Sequence, residues 1–186
     1  MYSRNNDTQT KKTYPGRLCV IEGSDGPAKS SQMNQLSIWI RSIGLPVFFS
    51  EWNLSKLIKG SEKRTKKKNS INPMTYCLMY AWDFTDRYEK VIQPHLSAGY
   101  LVLCDQYMNT AIARSIAKGC EPEWIRGIYS FAAKPDIFIE IDAALDFDAQ
   151  QNKLRTMIQA NVECYKPTGV LMNLTGMDQS GDQIIV

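Results

Sequence analysis

The stretch that most constrains this chain is Arg17 to Ser31, RLCVIEGSDGPAKSS. A short apolar run (Leu18, Cys19, Val20, Ile21) reads as a buried strand and breaks into a turn carrying Gly23 and Gly26. Lys29, Ser30 and Ser31 then open a helical pattern. Strand, glycine-bearing loop and Lys-Ser at a helix start form the layout of a phosphate-binding P-loop. Loop N–H groups and the positive end of the helix dipole converge there on one point, which suits a polyphosphate. Lys29 is placed to reach the terminal phosphates, and the Ser30 hydroxyl to hold Mg2+. The pattern asks for Gly before the Lys; this chain has Ala28, whose Cβ sits where backbone approaches phosphate. Pro27 removes one N–H donor from the same cradle.

Downstream, Met33, Leu36, Ile40 and Ile43 recur at helical spacing, so Lys29 to Ser42 is predicted as a helix ended by Gly44. Pro46 to Phe49 reads as a second strand, which makes a βαβ unit and implies a parallel sheet. Met74 to Ala98 is predicted as one long helix whose apolar positions include Leu78, Ala81, Phe84, Tyr88, Val91 and Ile92, with a kink at Pro94. Tyr100 to Asp105 is a third strand, apolar almost throughout, hence central and covered on both faces. It ends in Asp105, at the carboxyl edge where open α/β sheets place their chemistry. Ala111–Lys118 and Pro122–Ala133 read as helices, and Pro135–Asp142 as a fourth strand of buried type. Ala143–Val162 reads as a last helix with Leu145, Leu154 and Ile158 on one side.

At 186 residues the chain has the length of one domain, with residues 1–16 as a flexible polar tail ahead of a single unit over 17–186. Five scattered cysteines without CxxC spacing read as reduced thiols, and one histidine, His95, leaves no histidine-built metal site or Ser-His triad. No apolar run approaches membrane-spanning length and the N-terminus has no signal-peptide core, so a cytoplasmic protein with no membrane partner is expected. A net charge of +3 is too mild to argue for nucleic acid. The basic residues concentrate between Lys56 and Lys68, a segment that reads as a solvated loop or as an electrostatic funnel for an anionic substrate. Nucleic-acid contact by Lys63 to Lys68 is the weakest reading, since only Trp52 lies near to stack on a base.

Three stretches, IEGSDGPAKSSQ, DFTDRYEKVIQPHLSAGYLVLCDQY and KPDIFIEID, follow one another in an order and spacing that resembles the thymidylate kinase family of P-loop nucleoside-monophosphate kinases. The resemblance covers about Arg17 to Asp142. It implies an α/β P-loop NTPase fold, a mainly parallel sheet with helices on both faces. It implies transfer of the γ-phosphoryl of ATP, with Mg2+, to dTMP or a related monophosphate. On that footing Gly23, Ser24, Asp25, Gly26, Ala28, Lys29, Ser30 and Ser31 would hold the donor phosphates, and Ser30 and Asp105 the Mg2+. Lys29, Arg87 and Asp105 would carry the catalysis. Asp25, Phe84, Arg87, Gln106 and Tyr107 would meet the acceptor. A homodimer is implied by analogy.

The chain departs from the family pattern at four places. Ala28 replaces Gly, Gln106 replaces the Arg of an Asp-Arg-Tyr strand end, Glu51-Trp52-Asn53 replaces an Arg-Glu-Pro stretch, and Asp83 stands where an aromatic stacks on the acceptor base. Gln106 can hydrogen-bond but cannot neutralise phosphate charge. An alternative reading is therefore a catalytically impaired nucleotide-binding relative with a regulatory or scaffolding role.

Overall fold

The computed structural model describes residues 14–23, 27–52, 72–141 and 144–162. Four strands, β1 (Arg17–Glu22), β2 (Val47–Glu51), β3 (Leu101–Asp105) and β4 (Ile137–Glu140), form one sheet in the order β2-β3-β1-β4. Every pairing is parallel. Around it lie helices α1 (Pro27–Ser42), α2 (Pro73–Arg87), α3 (Gln93–Ser97), α4 (Met108–Ala117), α5 (Pro122–Ile128) and α6 (Phe147–Val162).

The period-two alternation of the strands divides the interior into two cores. Leu18, Val20, Val102 and Cys104 face α2, α4 and α5, where Phe84, Tyr88, Tyr107, Ile125 and Tyr129 pack. Cys19, Ile21, Leu101 and Leu103 face the other way, onto Met33, Leu36 and Ile40 of α1 and Leu154 and Ile158 of α6. All five β3 residues are buried, as their unbroken apolar run requires. Gly16 seats the chain before β1: a Cβ there would lie 2.4 Å from the Tyr100 carbonyl oxygen.

Several expectations need correction. The long helix is three segments, because a π turn (Tyr88–Ile92) separates α2 from α3. Pro94 has no N–H for the Lys90 carbonyl, and one residue earlier the Gln93 N–H reaches back five residues to Tyr88. The irregularity thus falls upstream of the proline. β4 is not buried on both faces: Ile137 and Ile139 point inward while Phe138 and Glu140 are exposed. Ile43, Leu78 and Leu145 also lie exposed, Ile43 and Leu145 being just outside their helices and Leu78 on the outer face of α2. The helix after β3 begins at Met108 rather than Ala111, and α5 stops at Ile128. The sulfurs of Cys77 and Cys120 meet as a disulfide between α2 and the α4–α5 turn, so the expectation of five reduced thiols fails at this pair. Cys19 and Cys104 are free and buried; burial pushes the Cys104 thiol up to about 11. The Lys56–Lys68 segment and the C-terminal stretch after Val162 lie outside the described residues.

Candidate functional site

The parallel register sets the carboxyl ends of three strands in one row: Ile21 of β1 and Glu51 of β2 both stand opposite Asp105 of β3. The chain turns from β1 into α1 on one face of this row and from β3 into α4 on the other, which opens the crevice where such sheets bind ligands. Gly23 leaves β1 with φ 153°, and a Cβ on it would lie 3.1 Å from that of Ile141, so the turn out of the strand needs a glycine.

Lys29, in the first turn of α1, extends back across the crevice. Its ammonium lies 2.7 Å from Asp105 Oδ1 and donates to the Gly23 carbonyl at 3.3 Å. Lysine and aspartate side chains are 4% and 10% exposed, so this is a buried ion pair joining the loop helix to the end of β3. Ser30 and Ser31 follow on α1, both exposed. Ser24, Asp25 and Gly26 lie outside the described residues, and Ala28 is placed only as part of α1.

Arg87 closes the other side. At the end of α2 its Nη2 donates to the Gln106 carbonyl at 3.0 Å, while its Nε and Nη1 are buried without a hydrogen-bond partner among the described residues. Burial lowers its pKa below the ordinary guanidinium value, opposed by nearby Cys104, Tyr107, Asp83 and Asp105. Gln106 is the one non-glycine described residue with positive φ, 60°. That conformation turns its carbonyl toward Arg87 and its side chain toward α4, where Arg114 Nη2 donates to Gln106 Oε1 at 3.4 Å. Phe84 and Tyr107 are both fully buried, their rings 5.1 Å apart, and the Tyr107 hydroxyl donates to the Ala133 carbonyl. They form the floor beneath Arg87.

Glu22 carried no signal in the sequence, and neither did the pairing of Trp52 with Asp83. Glu22 accepts from the Tyr107 N–H at 3.1 Å and from the Thr110 hydroxyl, so the end of β1 caps the start of α4. Trp52, just past β2, donates from its indole nitrogen to Asp83 at 3.1 Å and lies 5.2 Å from the Arg87 guanidinium carbon. An aromatic face therefore stands beside Arg87, but it comes from the residue after β2 and is held by the aspartate that replaced the expected helix aromatic.

Among the described residues no group of three or more His, Cys, Asp or Glu could hold a metal ion. Ser30, exposed on α1, and Asp105, held by Lys29 at the end of β3, are the hydroxyl and carboxylate that could hold Mg2+, a cation that takes few protein oxygens and completes its shell with phosphates and waters. Among the described residues, no helix is long and apolar enough to cross a membrane.

The family model for thymidylate kinase matches residues 21–174. "Probable thymidylate kinase 2" of Saccharolobus solfataricus is 43% identical over 121 residues, 65% of this chain and 56% of that relative's length. "Probable thymidylate kinase" of Pyrococcus horikoshii is 31% identical over 146 residues, 75% of this chain and 71% of the relative. The crystal structure of thymidylate kinase from Ehrlichia chaffeensis superposes with a TM-score of 0.58 at 19% identity, covering 80% of this chain and 86% of that one, and shares its fold.

Proposed function

Because this chain belongs to the thymidylate kinase family, we propose that it transfers the γ-phosphoryl group of ATP to the phosphate of dTMP or a closely related nucleoside monophosphate. The observation that carries the reading is the Lys29–Asp105 pair at 2.7 Å, which joins the start of α1 to the carboxyl end of a central strand. An arriving polyphosphate competes with Asp105 for the Lys29 ammonium. With Lys29 turned to the phosphates, the Asp105 carboxylate would be free to help hold Mg2+ or to orient the acceptor.

ATP would lie along the Gly23–Ser31 loop with its phosphates at the start of α1, where backbone N–H groups and the helix dipole favour anions. Ser30 and Asp105 would hold Mg2+, which when bound neutralises phosphate charge. The acceptor would lie on the opposite side, against Arg87, whose Nε and Nη1 have no hydrogen-bond partner among the described residues and suit a planar or bidentate acceptor group. Asp25, Phe84, Gln106 and Tyr107 complete that side. The chemistry asks little covalent work of the protein. Positioning two polyanions in line and neutralising their charge is the whole task. The same reading makes the protein a cytoplasmic enzyme, with 17–186 acting as one kinase-like unit and a homodimer as its assembly.

The test is direct. Purified protein with ATP and Mg2+, offered a panel of monophosphates, is expected to form a diphosphate, with dTMP among the best acceptors. Lys29→Ala should lower turnover by about a hundredfold or more, the size of a lost charge contact in the transition state. ATP binding without turnover of any monophosphate would favour the impaired relative; no nucleotide binding at all would remove both readings.

A further inference from the structure

On the face of the sheet that carries α2, α4 and α5, a groove of about 480 Å³ runs between α4 and the chain from the end of α5 toward the start of β4. Its two walls differ in chemistry. Met108, Ile112 and Ile116 recur every four residues on α4 and form an apolar stripe along one wall. Arg126 and Lys134 stand on the other. Tyr129 and Ala132, both buried, close the floor. No aspartate or glutamate is among the described residues that line it.

The cationic wall is held from behind. Ala133 donates its N–H to the Tyr88 hydroxyl at 3.1 Å, and its carbonyl accepts the Tyr107 hydroxyl at 3.1 Å. The Phe131 ring packs beside Phe84 and Tyr88. Residues 130, 132 and 134 thus line the groove, while Phe131 and the backbone of Ala133 are tied to the aromatic core. A groove anchored in this way is preformed, and its volume falls within the roughly 300–1,000 Å³ of small-molecule sites. It is distinct from the kinase crevice, because Thr110 and Arg114, which reach Glu22 and Gln106, lie on the other flank of α4.

Arg126 and Lys134 make no hydrogen bond or ion pair among the described residues. Glu121 is near enough to Arg126 to feel its charge, but its carboxylate accepts the backbone N–H groups of Glu123 and Trp124. Two cations facing an apolar wall, with no acid lining the space, complement a molecule that is apolar along its length and anionic at one end. We propose that this groove binds a small amphiphilic anion, an apolar body bearing one carboxylate. The body lies on the stripe of Met108, Ile112 and Ile116, and the carboxylate turns toward Arg126 and Lys134. The site needs no nucleotide and stands apart from the kinase reaction.

Calorimetric titration of the full chain with octanoate, octanamide and acetate tests this, since the first two share a chain and differ in charge, and the last lacks the apolar body. Octanoate is expected to bind one to one, about three- to tenfold more tightly than octanamide, the worth of two exposed charge contacts. Acetate should give no binding heat. Arg126→Gln combined with Lys134→Gln should bring octanoate to the affinity of octanamide. Ala113→Asp, at an exposed position of the α4 wall, should weaken octanoate far more than octanamide. Saturating ATP and the Lys29→Ala variant should leave all these affinities unchanged. Absence of octanoate binding, equal affinity for octanamide in wild type, a preference that survives the double variant, or displacement by ATP would each overturn the assignment. So would a fall in sedimentation coefficient on Ala113→Asp, which would mean that a second copy of the chain covers the groove. None of these results touches the kinase reading.

Discussion

Burying a lysine and an aspartate together is costly unless each answers the other's charge, and here the 2.7 Å contact does so in a crevice where both are nearly excluded from water. Removing one partner leaves the other uncompensated. Asp105→Asn is therefore expected to lower unfolding free energy by about 3 kcal/mol in the absence of nucleotide. Saturating ATP should recover part of that loss, because its phosphates give Lys29 a new partner. Urea unfolding of wild type and variant, with and without ATP, checks both statements. At this scale the sequence showed Lys29, Arg87 and Asp105 because each stands at a marked place, a helix start, a helix stripe or a strand end. It was silent on Arg114, one polar residue on the outer side of a helix, and on Glu22, whose capping partners Tyr107 and Thr110 are distant in sequence. The positive φ of Gln106 was equally hidden, since nothing in its side chain favours it.

Among the elements, β1, α1 and β3 were legible because each has a strong period and clear punctuation. The strand at 137–140 was misread as doubly buried because an apolar run does not reveal that it lies at the end of the sheet order. The link between Cys77 and Cys120 was illegible for a similar reason: no spacing rule joins cysteines 43 residues apart. It ties the start of α2, the helix bearing Arg87, to the turn before α5. Closing a loop of that size constrains the unfolded chain by about 3–4 kcal/mol in the chain-entropy account. A reducing agent is thus expected to lower the melting temperature of wild type and to leave Cys77→Ser/Cys120→Ser unaffected. Identical shifts in both would show that the bond contributes nothing. The start of α5 offers a pH test. Glu121 accepts the backbone N–H groups of Glu123 and Trp124, which holds its carboxyl below the ordinary glutamate value. A depressed folded pKa gives stability that is present above the unfolded pKa and lost as pH falls through the folded one. Wild type should exceed Glu121→Gln in stability at neutral pH. The gap should begin to close near pH ~4.3 and vanish below the folded pKa, as denaturant midpoints across that range would record.

At the scale of the whole molecule, the sheet separates two cores that share strands but not side chains. Ile125 lies in one and Leu154 in the other, both fully buried. Ile125→Ala and Leu154→Ala should each destabilise by about 2–5 kcal/mol. In the double variant the two losses should sum to within about 0.5 kcal/mol, as expected for sites without common neighbours. A large coupling energy in that cycle would show the faces to be mechanically continuous. The wide turn at Tyr88–Ile92 has a consequence that reaches across this architecture. A π turn spends one residue more than an α turn on the same arc, so deleting one residue there should let the segment close as ordinary α-helix with Arg87 and Asp83 still facing the crevice. A helix advances about 100° per residue, so inserting one would instead swing everything upstream around the axis, turning Arg87 and Asp83 away and drawing Cys77, Tyr80 and Ala81 out of the interior. The spare residue between Arg87 and Pro94 is thus slack in one direction only, and this stretch should tolerate loss of a residue far better than gain of one.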